Sequence, residues 1–290
     1  MNEELERELI ERVKINSSYL RRINEQTEAI CLAAVKKNGM SLKYVKNQTE
    51  KICLYAVKKD SDAFKYVKNK TERICLEAIK RNGKNLLYIK KNQTEELCLE
   101  AVRQNTYALQ YVKDQSERIC LEAVKQDGYT LQFVKDQTKA ICLEAVKESG
   151  YAIQFVKDQT EDVCLEAVKE SGYALQHIKH QNENICLTAV KQDGNVLQYV
   201  KDKTDKVCLE ALKQDFDSVC LLDINERNIA LTVLNASLYH KNKDKNILTI
   251  IINKFNNDRE IVDFYTKHKL WKYVDFSKLN NLIEYSMVIQ

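Results

Sequence analysis

Proline is absent from the 290 residues, which include only six glycines, four histidines and one tryptophan. Without proline, the ends of any helices fall to capping side chains and to glycine. So few glycines leave no Gly-rich loop to cradle a phosphate. So few histidines leave no Ser/His/Asp or Cys/His grouping that can be assembled, and only His177 and His180 lie close enough in sequence to suggest a shared ligand. No run approaches the roughly 20 apolar residues of a membrane helix. The opening Met-Asn-Glu-Glu-Leu-Glu-Arg is charged and lacks the apolar stretch of a signal peptide. Charge of one sign is missing too. With 46 Lys and Arg against 42 Asp and Glu, the net charge is +4, which excludes a globally basic nucleic-acid binder and leaves room for a local patch. These absences predict a cytoplasmic chain without a membrane segment or a cofactor, and not an enzyme.

What is present is repetition. Cys31, Cys53, Cys75, Cys98, Cys120, Cys142, Cys164, Cys186 and Cys208 are spaced by 22 residues, except for one interval of 23 at Lys90-Lys91-Asn92-Gln93. Unit positions are numbered one to 22 from the threonine four residues before each cysteine, so that one unit reads TEDVCLEAVKESGYALQHIKHQ over 160–181. Position one is Thr, Ser or Asn throughout, as a helix N-cap requires, and position two is usually acidic, as the helix dipole favours. Positions four, five, six, eight and nine are apolar, a stripe wide enough to pack on two sides. Position ten is Lys or Arg. Position 12 is Asn, Asp or Ser, and all six glycines stand at position 13, where a left-handed helix stop is expected. A short second helix then carries apolar positions 15, 16, 18 and 19.

Helices this short are marginal alone, so neighbouring units must supply the core by stacking. The fold predicted is all-α, an α-solenoid (superhelix) of 22-residue helix-turn-helix repeats with a helical C-terminal cap. Residues 1–26 read as a degenerate capping repeat, 27–213 as nine repeats, 214–241 as a degenerate repeat, and 242–290 as the cap. Helices are expected there at Asp244–Phe255, Asp258–His268 and Asp275–Met287, with Leu248, Ile250, Ile251, Ile252, Phe264 and Trp271 as core.

Several columns of the repeat are candidates for function. Stacked helices lie roughly 8–10 Å apart, too far for the roughly 7 Å limit of a disulfide. One cysteine per unit also lacks the paired spacing of a zinc site, so the column reads as buried thiols in a reducing compartment. The aromatic column at position 18 (Tyr44, Tyr66, Tyr88, Tyr111, Phe133, Phe155, His177 and Tyr199) reads as core. Tyr107, Tyr129, Tyr151 and Tyr173 at position 14 precede it by four residues and are the better surface candidates, since tyrosine favours interfaces. A glutamine ladder occupies position 17. Charge changes along the chain: residues 27–93 hold 16 basic against 6 acidic residues, a net +10, whereas residues 94–203 hold 13 against 18, a net −5. Either surface drift or a basic binding patch, formed by Lys37, Lys43, Lys59, Lys65, Arg81 and Lys84, accounts for the excess. Position three varies most and is a candidate for partner specificity.

The phrase CLEAVKQDGYTLQFVKDQ at 120–137 resembles the short helical repeats that occur in many copies in mimivirus-type giant viruses, a family of unknown function. The resemblance spans residues 27–213, although Thr mostly replaces the family's capping Asp and Cys takes an aliphatic position. It implies a viral protein acting in host cytoplasm and carries no activity, cofactor or catalytic residue. The function expected is a non-enzymatic scaffold that binds a host or viral protein along the solenoid, without a membrane. The alternative is a nucleic-acid-binding solenoid that uses its basic first three repeats.

Overall fold

In the computed structural model, which describes residues 2–224, 226–240, 245–255 and 257–275, position one performs two tasks. The Thr49 hydroxyl oxygen accepts from the Ile52 amide at 3.3 Å, capping its own helix, and the hydroxyl donates to Glu28 of the preceding repeat at 3.1 Å. Ser116 and Thr204 repeat the arrangement with Glu95 and Glu183. Caps of this kind therefore also tie two repeats together.

Position 12 forms the turn by itself. Asn38 takes an extended backbone (φ −147°, ψ 114°), its amide closes the first helix on the Ala34 carbonyl, and its side chain accepts from Met40 at 3.0 Å. Its own carbonyl receives the Ser41 amide at 3.0 Å. A bond that spans three residues starts a 3-10 helix, and the six residues at positions 13–18 continue as one. That is long for this conformation, whose bond geometry is poorer than the α-helix's.

The chain divides into two compact units, residues 1–148 and 149–290. In the first, α-helices Glu3–Ile15, Glu28–Lys37, Glu50–Lys59, Glu72–Arg81, Glu95–Gln104, Glu117–Gln126 and Lys139–Glu148 alternate with six 3-10 helices from Ser17–Arg22 to Gly128–Phe133. The second opens on the 3-10 helix Gly150–Phe155 and continues with α-helices Glu161–Glu170, Glu183–Val190 and Asp205–Gln214, each followed by its 3-10 helix. Phe216–Leu221, in the stretch read as degenerate, is the 3-10 helix of the ninth repeat. Within each unit, successive α-helices pack side by side and successive 3-10 helices do likewise. Among the described residues there is no strand. This is an α-solenoid of repeated helical pairs.

The link between repeats with the most hydrogen bonds is the glutamine at position 22. The Gln48 amide nitrogen donates to Leu42 O of its own repeat at 3.4 Å and to Tyr66 O of the next at 3.0 Å, and its oxygen accepts the Lys68 amide at 2.9 Å. The Cys53 thiol lies 3.6 Å from the same oxygen. Gln115 and Gln181 reproduce all four contacts. Lysine at position 20 adds a further tie, since Lys46, Lys68, Lys113, Lys135 and Lys201 each donate to a main-chain oxygen of the repeat before.

The glycines have a different cause from the one expected. None of the described glycines has a positive φ, so none is a left-handed stop. A Cβ on Gly39 would sit 2.4 Å from Ala56 O of the next repeat, and one on Gly150 would sit 2.5 Å from Ala167 O. Close approach between repeats, rather than turn geometry, excludes a side chain.

The helix Arg227–Ser237 packs on Asp205–Gln214 and buries Ile229, Ala230, Val233 and Leu234 in the repeat's own pattern, and the second unit ends beyond it in helices Lys245–Lys254 and Arg259–Lys267 and the 3-10 helix Leu270–Tyr273. Leu248, Ile251, Ile252 and Trp271 are buried as expected, but Ile250 is 50% exposed and Phe264 only half-buried. Its neighbour Tyr265 takes the interior place, and its hydroxyl donates to Leu248 O at 2.5 Å. The helix expected at 275–287 lies outside the described residues, apart from Asp275.

Four variants test this account. Gln48→Leu removes three bonds from partly buried main chain and is expected to lower unfolding free energy by about 2–4 kcal/mol, read from urea unfolding. Gln110→Ala, at the exposed position 17, should change it by less than about 0.5 kcal/mol. Gly39→Ala should cost about 1–3 kcal/mol through overpacking. Gly39→Asn should cost more than Gly39→Ala, the reverse of the order a left-handed position would give.

Candidate functional site

A 3-10 helix has three residues per turn, and this period sorts the second half of every repeat. Positions 13, 16 and 19 fall on one side and are buried where position 13 is glycine, as at Gly83, Leu86 and Ile89, whereas Ser61, Thr106 and Phe216 at position 13 are half-buried. Positions 14 and 17 fall together on the outside, and position 18 lies between. No residue of the aromatic column at position 18 is buried; Tyr88 is exposed and the other seven are half-buried. The expectation that this column is core assumed the α-helical period of 3.6 residues, which places positions 14 and 18 on one face. Leu at position 16 holds the interior place instead.

Position 14 therefore meets position 18 of the following repeat. In the first unit the Tyr107 ring stands edge-on to Phe133, with centroids 5.6 Å apart. In the second unit Tyr151 meets His177 and Tyr173 meets Tyr199, each at 6.0 Å and near 70°. Edge-to-face pairs of this kind prefer such spacing and tilt. Tyr107 and Tyr129 are exposed, and Tyr151 and Tyr173 half-buried. The glutamine ladder secures the row from below: Gln110, Gln132, Gln154 and Gln176 each donate to the tyrosine carbonyl three residues earlier at 2.9–3.1 Å. The Tyr173 hydroxyl also donates to Asp193 at 2.8 Å, which raises its pKa. The surface thus consists of rings with fixed orientations, at little entropic cost to a partner that docks on them.

The six basic candidates are all exposed, but they do not form one cluster. Lys37 and Lys59, at equivalent α-helix ends, line one hollow of about 430 Å³ together with Asn16, Asn38 and Asp60. The Lys43 and Lys65 ammonium groups lie over the neighbouring Tyr44 and Tyr66 rings at 4.9 and 5.2 Å. Arg81 is committed to Glu77 at 2.8 Å, and Lys84 stands on the outside of its 3-10 helix.

Two further columns change meaning. Position six, expected in the core, is half-exposed in most repeats, and Leu76 reaches 37%. Only Leu99 is buried. Position three is exposed in every repeat, and Lys51, Arg73, Arg118 and Lys206 use it to pair with the position-two glutamate of the repeat before, at 3.0–3.9 Å. Exposed pairs contribute little to stability, and they occupy part of the variation that suggested partner specificity.

The nine cysteines of the column are buried and not in disulfides, and Cys220 is exposed. Desolvation pushes the Cys31, Cys53, Cys98, Cys120, Cys164 and Cys208 thiols up to about 11. Thiols held neutral in this way are inert packing groups. Among the described residues, no three His, Cys, Asp or Glu side chains converge as metal ligands, and no helix is long and apolar enough to cross a membrane.

Six stretches of the chain (27–72, 71–116, 94–139, 116–160, 138–181 and 160–204) match the model of one family, the domain of unknown function DUF4116. The matches tile more than half of the sequence. The chain belongs to this family. Each DUF4116 match takes in two consecutive 22-residue units, the smallest piece that contains a glutamine clamp with both of its partners. No curated protein and no solved structure matches the chain.

Thiol labelling checks the column. One cysteine, Cys220, should react with an aromatic disulfide reagent in the native protein, and all ten only after unfolding. Because the folded pKa exceeds the ordinary thiol value of about 8.5, the neutral thiols contribute stability that is complete below that value. It is lost as pH rises through about 11. The urea midpoint should therefore fall between pH about 9 and about 11, and a Cys53→Ala, Cys98→Ala, Cys120→Ala triple variant should flatten that fall.

Proposed function

We propose that this DUF4116 protein is a non-enzymatic scaffold that binds a protein partner along the outer edge of its 3-10 helices. The supporting observation is the position-14 tyrosine within each unit: Tyr107 in the first and Tyr151 and Tyr173 in the second stand edge-on against the next repeat, with Tyr107 exposed and the other two half-buried. The row offers large, rigid, amphipathic side chains with hydroxyl groups at their tips, the residue type that carries most energy in protein interfaces. Half-exposed leucines at position six give the α-helical side a second apolar column.

A protein ligand is favoured over nucleic acid by where rings and charge fall. Tyr107, Tyr129, Tyr151 and Tyr173 belong to repeats between residues 94 and 203, whose net charge of −5 repels phosphate. In the basic first repeats, Lys43 and Lys65 already cover the rings of Tyr44 and Tyr66. The position-14 tyrosines and the excess of positive charge, which a single-strand binder would combine in one groove, stand in different repeats. The family resemblance adds a viral origin and action in the host cytoplasm to this proposal.

Affinity capture from host lysate, with bound proteins identified by mass spectrometry, tests the reading. A Tyr107→Ala/Tyr129→Ala variant and a Tyr151→Ala/Tyr173→Ala variant should each lose the captured protein, with at least about ten-fold weaker binding of the purified partner. A Lys37→Glu/Lys59→Glu variant should keep it. Capture that disappears with nuclease, or with the lysine reversal alone, would refute the protein-scaffold reading in favour of nucleic acid.

A further inference from the structure

The regular ties between repeats fail together at one junction. Position 22 of the second repeat is Lys70 instead of glutamine, so no side-chain amide reaches the Tyr88 carbonyl or the Lys90 amide as Gln48 reaches Tyr66 and Lys68. The third repeat is also the one with an extra residue, and Asn92 within it takes a left-handed backbone with φ 58°. Lys90, at position 20, donates to no main-chain oxygen of the repeat before, as Lys179 also does not, although Lys46, Lys68, Lys113, Lys135 and Lys201 do. Thr94, one residue late, makes no bond to Glu72, whereas Thr71 donates to Glu50 at 2.7 Å.

These departures leave a cavity of about 810 Å³ between the connecting loops of the second and third repeats, within the first unit. Lys65, Lys68, Lys70, Lys90 and Lys91 line it against a single acidic group, Glu72, for a net +4. Lys70 is the innermost. Its ammonium donates to Val67 O at 2.6 Å and lies 5.3 Å above the Phe64 ring, so it is held in place and no carboxylate neutralises it. Among the described residues, Lys90 and Lys91 take part in no ion pair. Ile89 and Leu97 form an apolar floor, and the Tyr88 ring stands at the edge with 37% of its surface exposed. The volume falls within the usual range for small-molecule sites of roughly 300–1,000 Å³.

Gathering five like charges around one opening is unfavourable unless something anionic compensates them. The same place gives up a three-bond clamp and adopts a strained residue, and such local violations concentrate at functional sites. We infer that the cavity between Lys70 and the Lys90-Lys91-Asn92 loop binds a short phosphate chain, as carried by a nucleoside triphosphate or an inorganic polyphosphate. The lining cations are all lysines. Their compact point charges suit tetrahedral phosphates, whereas planar carboxylates are served by the fork of arginine. The inference does not depend on the protein-partner reading, because none of the position-14 tyrosines contributes to the cavity.

Isothermal titration of the purified protein with tripolyphosphate and with ATP, at low and raised salt, is the test. One saturable site is expected for tripolyphosphate, weakening as salt rises. Lys70→Gln restores the residue found at position 22 in most repeats and should fold at least as well as the parent, yet weaken binding by about ten-fold or more. Lys90→Gln/Lys91→Gln should do the same, while the charge-matched Lys37→Gln/Lys59→Gln should leave affinity within about two-fold. ATP that binds several-fold tighter than tripolyphosphate assigns a nucleotide, with Tyr88 taking the base, and equal binding assigns the inorganic chain; either sustains the inference. Absence of saturable binding, or equal weakening by the Lys37/Lys59 control, would overturn it.

Discussion

The structure depends on a single amide side chain per repeat that reaches across to its neighbour. The position-22 glutamine presents both a donor and an acceptor, and the next repeat offers a carbonyl at position 18 and an amide at position 20, spaced to take them. Main-chain groups at the end of a short 3-10 helix would otherwise be left open in a half-buried groove, and leaving such groups unpaired costs more than the bond itself returns. One residue thus satisfies the end of one helix and fixes the register of the next. The buried cysteine completes the arrangement by packing beneath the glutamine oxygen, which its weak thiol donor reaches at 3.6–3.9 Å.

Register fixed in this way makes the 3-10 helix possible. Six residues in this conformation are seldom stable alone, but here each helix lies against equivalents in the adjacent repeats and its inner positions are filled by Leu and Val. With three residues per turn, the outward positions become 14 and 17, and the position-14 ring lands beside the position-18 ring of the next repeat. The aromatic edge is therefore a product of stacking. It exists only between repeats, as the clamp does, and the family unit of two consecutive 22-mers reflects the same fact.

Against this regularity the irregular places stand out. Where Lys70 replaces the clamp and one residue is added, the ties lapse and a lysine-lined cavity opens. Where Lys203 stands at the same position, the ninth repeat still stacks on the eighth, and the different packing around Tyr265 and Trp271 begins only farther along the chain. A repeat protein can tolerate such local departures because each repeat answers only to its neighbours. Specialised sites can thus arise at one junction without disturbing the rest.

The 22-residue period, the caps at positions one and 12, the buried thiol row and the helical class were legible in the sequence, because each follows from local chemistry repeated many times. The period of the second helix was not. Six residues of mixed polarity fit an α-helix or a 3-10 helix equally well, so the sequence places Tyr44 and its equivalents in the core, whereas seven of the eight are half-buried and Tyr88 is exposed. The role of glycine was also beyond local reading, since Gly39 is required by a carbonyl in another repeat and not by its own φ. Gln48 could not be told from Gln110 by residue type; only stacking shows that one bridges repeats while the other supports a tyrosine loop. Sequence determined what each residue could do within its own helix, and the tertiary structure decided which groups meet between helices, because those contacts depend on a stacking distance that no single repeat encodes.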